Sequence, residues 1–181
     1  MPIIEEGAGV AMKRIMVMGV SAGVGKSTFA RKLGKKLDLD VYHLDAYFWK
    51  PNWVQASNKE FRESNRKIAD QDQWIIEGNY STTYDIRAPR ADTIIYLELP
   101  LVICLYRVVK RWLTNIGKNR PDMGPGCKEK LDYAFIKFIV TTYHKRRKKM
   151  RTRFREFQSA DPGKKVIILK GQKAVQGYFT N

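Results

Sequence analysis

The chain alternates short apolar runs with stretches of helical spacing. Arg14-Ile15-Met16-Val17-Met18-Gly19 is an apolar run stopped by glycine, the pattern of a strand buried on both faces. From Lys26 the spacing turns helical, with Phe29, Leu33 and Leu37 at i, i+4 and i+8. Val41-Tyr42-His43-Leu44 predicts a second strand. Ser57 with Glu60 three residues on predicts a capping box, which opens a polar helix carrying Phe61 and Ile68. Gln73-Trp74-Ile75-Ile76-Glu77 and Thr93-Ile94-Ile95-Tyr96-Leu97 predict strands three and four, and a helix follows Pro100 to about Leu113. The stretch Asn115 to Cys127 holds three glycines and two prolines and reads as a loop or lid. A long helix is expected from Lys128 to about Gln158, with Phe135, Ile139, Tyr143, Met150, Phe154 and Phe157 in rough register. Val166-Ile167-Ile168-Leu169 predicts a fifth strand, and a short helix closes the chain.

Five apolar strands alternating with helices predict an α/β fold in three α/β/α layers, with a five-stranded parallel sheet covered on both faces. The expected organisation is one domain over residues 1–181, with a loose leader at 1–12 and a lid-like insertion at 114–128. No apolar run approaches the roughly 20 residues that a bilayer-spanning helix needs. Glu5 and Glu6 in the first twelve residues, with no apolar core there, argue against a secretory signal. Cys104 and Cys127 are too few for a disulfide framework, so a cytoplasmic protein is expected. The formal net charge of +16 calls for a polyanionic partner, whether nucleotide phosphates, nucleic acid or a membrane surface.

The candidate chemistry begins between the first strand and the first helix, at Gly19-Val20-Ser21-Ala22-Gly23-Val24-Gly25-Lys26-Ser27-Thr28. Glycines let the backbone curl round an anion with successive N–H groups pointing inward, and the helix N-terminus adds partial positive charge. Gly23, Val24, Gly25, Lys26, Ser27 and Thr28 are therefore the expected ATP-binding residues. Lys26 would reach the β- and γ-phosphates and Ser27 would ligate Mg²⁺. The motif departs from its consensus once, with Val20 where a glycine is usual and Gly19 one place earlier. No Asn-Lys-x-Asp element is present for reading guanine, and no strand ends in the Asp-Glu of many ATPases. The third strand ends Ile76-Glu77-Gly78 instead.

That ending resembles nucleoside monophosphate kinases. The chain as a whole resembles the adenylate-kinase-like P-loop proteins named for DNA topology modulation. The likeness is carried by the phosphate loop, by His43-Leu44-Asp45 with Trp49-Lys50-Pro51-Asn52-Trp53, by Trp74 to Tyr80, and by Arg120-Pro121-Asp122-Met123. The resemblance implies a P-loop kinase fold, ATP binding, Glu77 on the metal's hydration shell, and backbone contacts from Gly171 to adenine. A small-molecule phosphate acceptor is the implied partner, with a nucleoside monophosphate or related nucleotide expected first.

Asp45, at the carboxyl edge of the sheet, is a candidate base for an acceptor hydroxyl, a metal or substrate ligand, or a turn cap. A phosphate acceptor needs no base, whereas a hydroxyl does. Glu77 is the second acid at that edge, a metal ligand or an ion-pair partner for Lys26. Arg107, Arg111 and Arg120 are candidates to neutralise the transferring phosphoryl group, against a plain basic helix face. Trp53 and Tyr80, with Trp49, are candidates to wall the acceptor pocket or to pack a core around Pro51, and Arg87 is a candidate to hold an acceptor phosphate or to pair with Asp85 or Asp92. His43 is a substrate contact or a structural residue. The run Lys145 to Arg155 carries eight cations and reads as a solvated face, as a non-specific nucleic-acid surface, or as a lipid-facing helix. The rival function is accordingly a nucleotide-dependent nucleic-acid binder that uses this helix.

Overall fold

The computed structural model describes residues 12–180, so all of the expected leader except Met12 lies outside the described residues. In chain order the elements are β1 (Arg14–Gly19), α1 (Lys26–Leu37), β2 (Val41–His43), α2 (Leu44–Phe48), β3 (Trp49–Lys50), β4 (Val54–Gln55), α3 (Asn58–Ala69) and β5 (Trp74–Glu77). There follow α4 (Tyr84–Arg87), β6 (Thr93–Glu98), α5 (Leu101–Asn115), α6 (Tyr133–Ala160), β7 (Lys165–Lys170) and α7 (Gly171–Gly177). The five long runs pair as one parallel sheet in the order β2-β5-β1-β6-β7, as the alternation of strands and helices predicts.

β1 sits in the centre, and Ile15, Met16, Val17 and Met18 are at most 1% exposed, which is why its sequence is continuously apolar rather than alternating. Right-handed crossovers fix the layers. The β1-to-β2 connection runs one way across the sheet and every later connection runs the other way, so their helices lie on opposite faces. α1 and α7 share one face, where Phe29 meets Tyr178 and Phe179 at ring-centroid distances of 5.3 and 4.9 Å. α3, α4 and α6 share the other. There Arg62 of α3 pairs with Asp85 of α4, Arg153 of α6 lies 3.9 Å over the Tyr84 ring, and Phe154 packs at 5.1 Å on Tyr96. Burying an aromatic such as Phe154 contributes about 1.5–3 kcal/mol. β1 and β5 are neighbours whose connections leave toward opposite faces, so a crevice opens at their carboxyl ends, where α/β folds bind ligands.

Three local features differ from, or add to, the elements expected from the sequence. The long helix starts at Tyr133 rather than Lys128, because Asp132 caps it by accepting from the Phe135 N–H at 2.8 Å. Residues 128 and 129 instead bridge back to 119 and 116, extending the segment between α5 and α6. The second strand stops at His43, and Leu44 and Asp45 open α2. Finally, Trp49 to Gln55 forms a small antiparallel hairpin, β3–β4.

Candidate active site

At the carboxyl end of β1 the phosphate loop runs into α1. Gly25 caps the helix at φ 98°, and Gly23 has φ +78°; a Cβ on Gly23 would lie 2.2 Å from the Cys104 carbonyl oxygen of α5. Only glycine permits both that backbone and that approach. Val20 is fully buried, and its N–H donates to the Leu97 carbonyl at 2.9 Å, so it prolongs strand bonding and the loop is formed without the usual glycine there. The Asn79 amide reaches across from the end of β5, accepting from the Gly19 N–H at 3.0 Å and donating to the Gly19 carbonyl at 2.6 Å. Arg107 of α5 donates to the Val24 carbonyl at 3.4 Å.

Four polar groups converge on the loop. Lys26 Nζ lies 3.9 Å from Glu77 Oε1, and the Ser27 hydroxyl donates to Glu77 Oε2 at 3.1 Å. His43 Nδ1 stands 2.9 Å from the same Glu77 oxygen. Asp122, from the α5–α6 segment, lines the same cleft as Ser27. Burial works against its ionisation, but the Arg120 charge and the Ser27 hydroxyl outweigh it and hold the carboxyl below the usual range. Asp45, in the first turn of α2, accepts from the Tyr80 hydroxyl at 2.6 Å. Burial and then the neighbouring Glu77 charge raise its pKa above the ordinary carboxylate value, more than Tyr80, Lys26 and Arg120 lower it. A half-buried carboxyl shifted upward in the cleft beside this loop has the properties of a proton acceptor.

A cleft of about 1490 Å³ joins these groups, and Asp45, Trp53, Tyr80, Arg107, Arg111 and Arg120 all line it. Trp53 donates from Nε1 to the Lys128 carbonyl at 3.0 Å and meets Trp49 edge-on at 5.4 Å. Arg111 and Arg120 both pair with Glu129, and Arg120 also lies 3.4 Å from Asp122.

Two expected residues are placed elsewhere. Arg87 is fully buried and spends its guanidinium on the backbone, donating to the carbonyls of Gly78 (3.3 Å), Tyr80 (2.7 Å) and Thr83 (3.3 Å). Burial, then the Arg153 charge, lowers its pKa to about 10. It braces the turn that presents Tyr80 and is not among the residues that line the cleft. Its anticipated partners are also committed, Asp85 to Arg62 and Asp92 to the backbone N–H groups of Lys13 and Arg14. Gly171 opens α7 at φ +82° and lies outside the cleft wall, where α7 contributes Val175 and Gln176.

Asn79, Asp122 and Glu129 are functional candidates that sequence reasoning passed over. Asn79 and Asp122 lie inside the motifs already quoted; Glu129 has no local signature. The basic run also divides. Arg147 pairs with Glu98 at 2.7 Å, Arg146 lies 4.4 Å over Phe138, and Arg153 faces Tyr84, while Lys145, Lys148, Lys149, Arg151 and Arg155 are exposed. Among the described residues no helix is long and apolar enough to cross a membrane.

No protein-family model matches the chain, and no curated protein matches it in sequence, so the likeness to the DNA-topology-modulation group rests on the quoted motifs alone. Solved structures do match. Shikimate kinase from Acinetobacter baumannii in complex with shikimate superposes with a TM-score of 0.55 at 13% identity, covering 93% of this chain and 89% of that one. YorR from Bacillus subtilis, in complex with phosphorylated GDP, gives 0.51 at 16%, covering 90% and 89%. A gluconokinase from Sinorhizobium meliloti 1021 gives 0.51 at 13%, covering 91% and 85%. The chain has the fold of P-loop kinases.

Proposed function

We propose that this chain is an ATP- and Mg²⁺-dependent phosphotransferase that moves the γ-phosphoryl group of ATP onto a hydroxyl of a small acceptor. The observation that carries the reading is Asp45, a half-buried carboxyl that accepts from the Tyr80 hydroxyl at 2.6 Å and lines the same cleft as the phosphate loop, with its pKa shifted upward. A phosphate acceptor would need cations on that side. Arg87 and Lys50 are engaged by backbone carbonyls and by Glu60, while Lys130, over the Trp53 ring, and Lys149 line the cleft and would serve such an acceptor. The hydroxyl reading is put first on the strength of Asp45, and the nucleoside monophosphate expected from the sequence stands as its alternative. The names of similar folds, shikimate kinase and gluconokinase, agree with a small-molecule acceptor; YorR, bound to phosphorylated GDP, keeps a nucleotide acceptor as the alternative to be tested.

The phosphates of ATP would lie against Gly23 to Thr28. Mg²⁺ would suit the donors here, because the Ser27 hydroxyl and the Glu77 carboxylate lie 3.1 Å apart with the Asp122 carboxylate in the same cleft, all hard oxygens, and Mg²⁺ takes one or two carboxylates plus phosphate and water. Bound there, the ion would neutralise phosphate charge. Asp45 accepts the hydroxyl proton as the acceptor oxygen bonds to the γ-phosphorus, and the bond to the β–γ bridging oxygen breaks to release ADP. Lys26, Arg107, Arg111 and Arg120 spread the charge of the loose transition state. Trp53 and Tyr80 wall the acceptor, and the α5–α6 segment serves as the lid of a single kinase domain.

The test is transfer from γ-labelled ATP·Mg²⁺ to a panel of nucleosides, sugars, hydroxy acids and nucleoside monophosphates, with Lys26→Ala as control. Labelling confined to the monophosphates overturns the hydroxyl reading. ATP binding with no labelled product overturns the kinase reading and turns attention to the exposed cations of α6, the feature that favours the nucleic-acid rival.

A further inference from the structure

Two guanidinium groups held side by side in a half-buried site repel each other, and something must hold them there before a nucleotide arrives. Glu129 does so. Its side chain is 3% exposed, and its two oxygens divide between the pair, Oε1 at 2.9 Å from Arg111 Nε and Oε2 at 2.8 Å from Arg120 Nε. The Arg111 contact is a single charge-assisted hydrogen bond, and the Arg120 contact is an ion pair whose N–H is not aligned for one. The carboxylate is itself positioned by backbone. The Glu129 N–H donates to the Lys118 carbonyl at 2.9 Å, and the adjacent Lys128 carbonyl accepts from Trp53 of the β3–β4 hairpin. Arg111 comes from α5, Arg120 from the connecting segment, and Glu129 is the atom-level joint between them.

We infer that Glu129 is a positioning residue that assembles Arg111 and Arg120 into a working pair ahead of ATP binding, and that it acts on transfer rather than on nucleotide affinity. The inference rests on the phosphotransferase reading for its effect on rate, but not for its effect on the arginines. Replacing Glu129 with Gln leaves the local charge more positive, so a polyanion binds no more weakly, while the arginines lose their fixed geometry. A residue needed only to fold the lid would instead lower nucleotide affinity and rate together.

The experiment compares the wild-type chain, Glu129→Gln and Glu129→Asp by three readouts. In ¹⁵N side-chain spectra of the nucleotide-free protein, the Arg111 Nε–Hε signal is expected to be slowly exchanging in the wild type, lost in Glu129→Gln and retained in Glu129→Asp. Calorimetry with ATP·Mg²⁺ is expected to give Glu129→Gln a Kd equal to or below that of the wild type. Transfer kcat is expected to fall about tenfold or more in Glu129→Gln and to recover in part in Glu129→Asp. An unchanged Arg111 signal in Glu129→Gln overturns the inference, as does a Kd that weakens in step with kcat. Should Glu129→Gln fail to fold, Glu129→Asp carries the comparison, and an Arg111 signal lost despite the retained charge then counts against it. If the wild type labels no acceptor, the phosphotransferase reading falls, while the Arg111 signal and the Kd still decide the role of Glu129.

Discussion

The two halves of the cleft are built by different means. The phosphate side hangs on the sheet, where β1 pairs with β5 and β6 over four and five register positions and its apolar side chains are excluded from water. The roof, formed by the β3–β4 hairpin and the α5–α6 segment, has no such ladder. It is held by single contacts, with Asn52 N–H donating to the Gly126 carbonyl at 3.3 Å, Trp53 to the Lys128 carbonyl, and the Cys127 thiol to the Lys50 carbonyl at 3.2 Å. Gly124 lies so close to the hairpin that a Cβ would come 2.1 Å from the Trp49 carbonyl oxygen. A backbone ladder tolerates side-chain change, whereas a roof of point contacts depends on each residue that makes one. The half built on the sheet thus depends little on single side chains, and the half built on the hairpin depends on each.

That contrast can be broken at its strongest point by Lys26→Ala, which should cut transfer about 10³-fold or more without unfolding the sheet, as single-turnover assays and circular dichroism would report. Asp45→Asn should cost about 10²- to 10⁴-fold in transfer to a hydroxyl. The same change should raise Tm. The folded chain holds the Asp45 proton more tightly than the unfolded chain, so its contribution to stability is full at low pH and is lost as pH rises through the raised value. The Tm difference between Asp45→Asn and the wild type should therefore be small in acid and grow toward neutrality, measured without Mg²⁺. The wild-type rate should climb over the same interval, because the base must be ionised. A flat difference in Tm across that range would remove the pKa argument for Asp45.

A smaller effect is expected in the roof. Gly124→Ala should destabilise by about 1–3 kcal/mol, since the added methyl meets backbone that cannot step aside, and should raise the acceptor KM more than that of ATP. An unaltered melt would mean that the segment does not dock on the hairpin in solution. The least effect is expected from changing Lys145, Lys148, Arg151 and Arg155 together to Gln. Transfer should stay within about twofold, because these side chains are exposed. Salt-dependent retention of DNA or RNA that vanishes in this variant would instead favour the nucleic-acid rival.

The same contrast explains what could be read from the amino-acid order. Strands buried on both faces are runs of consecutive apolar residues, so all five sheet strands, and the crevice they imply, were legible. Ser57 and Glu60 do form the expected reciprocal cap. The glycine turn from β1 into α1 was legible despite Val20, because its neighbours decide its shape. The roof was not. Two-residue strands such as Trp49-Lys50 and Val54-Gln55 have no periodicity to detect. Lys128 to Asp132 continue a helical pattern that the Asp132 cap cuts short. Arg87 looked like a ligand because nothing local shows that three carbonyls will converge on it. Glu129 meets Arg111 across 18 positions, a separation that leaves no trace in spacing.

The Asn79 clamp on Gly19 bears on how this gene would tolerate change. One amide serves a donor and an acceptor of the same residue at once, and no other side chain of that length offers both. Aspartate there would set a carboxylate oxygen against the Gly19 carbonyl, and glutamine would overreach by a methylene. In a saturation library position 79 should thus behave like a catalytic residue, depleted of nearly every alternative, although its side chain is spent on the backbone of the loop. The replacement that alters the fewest atoms, Asn79→Asp, should be among the least tolerated.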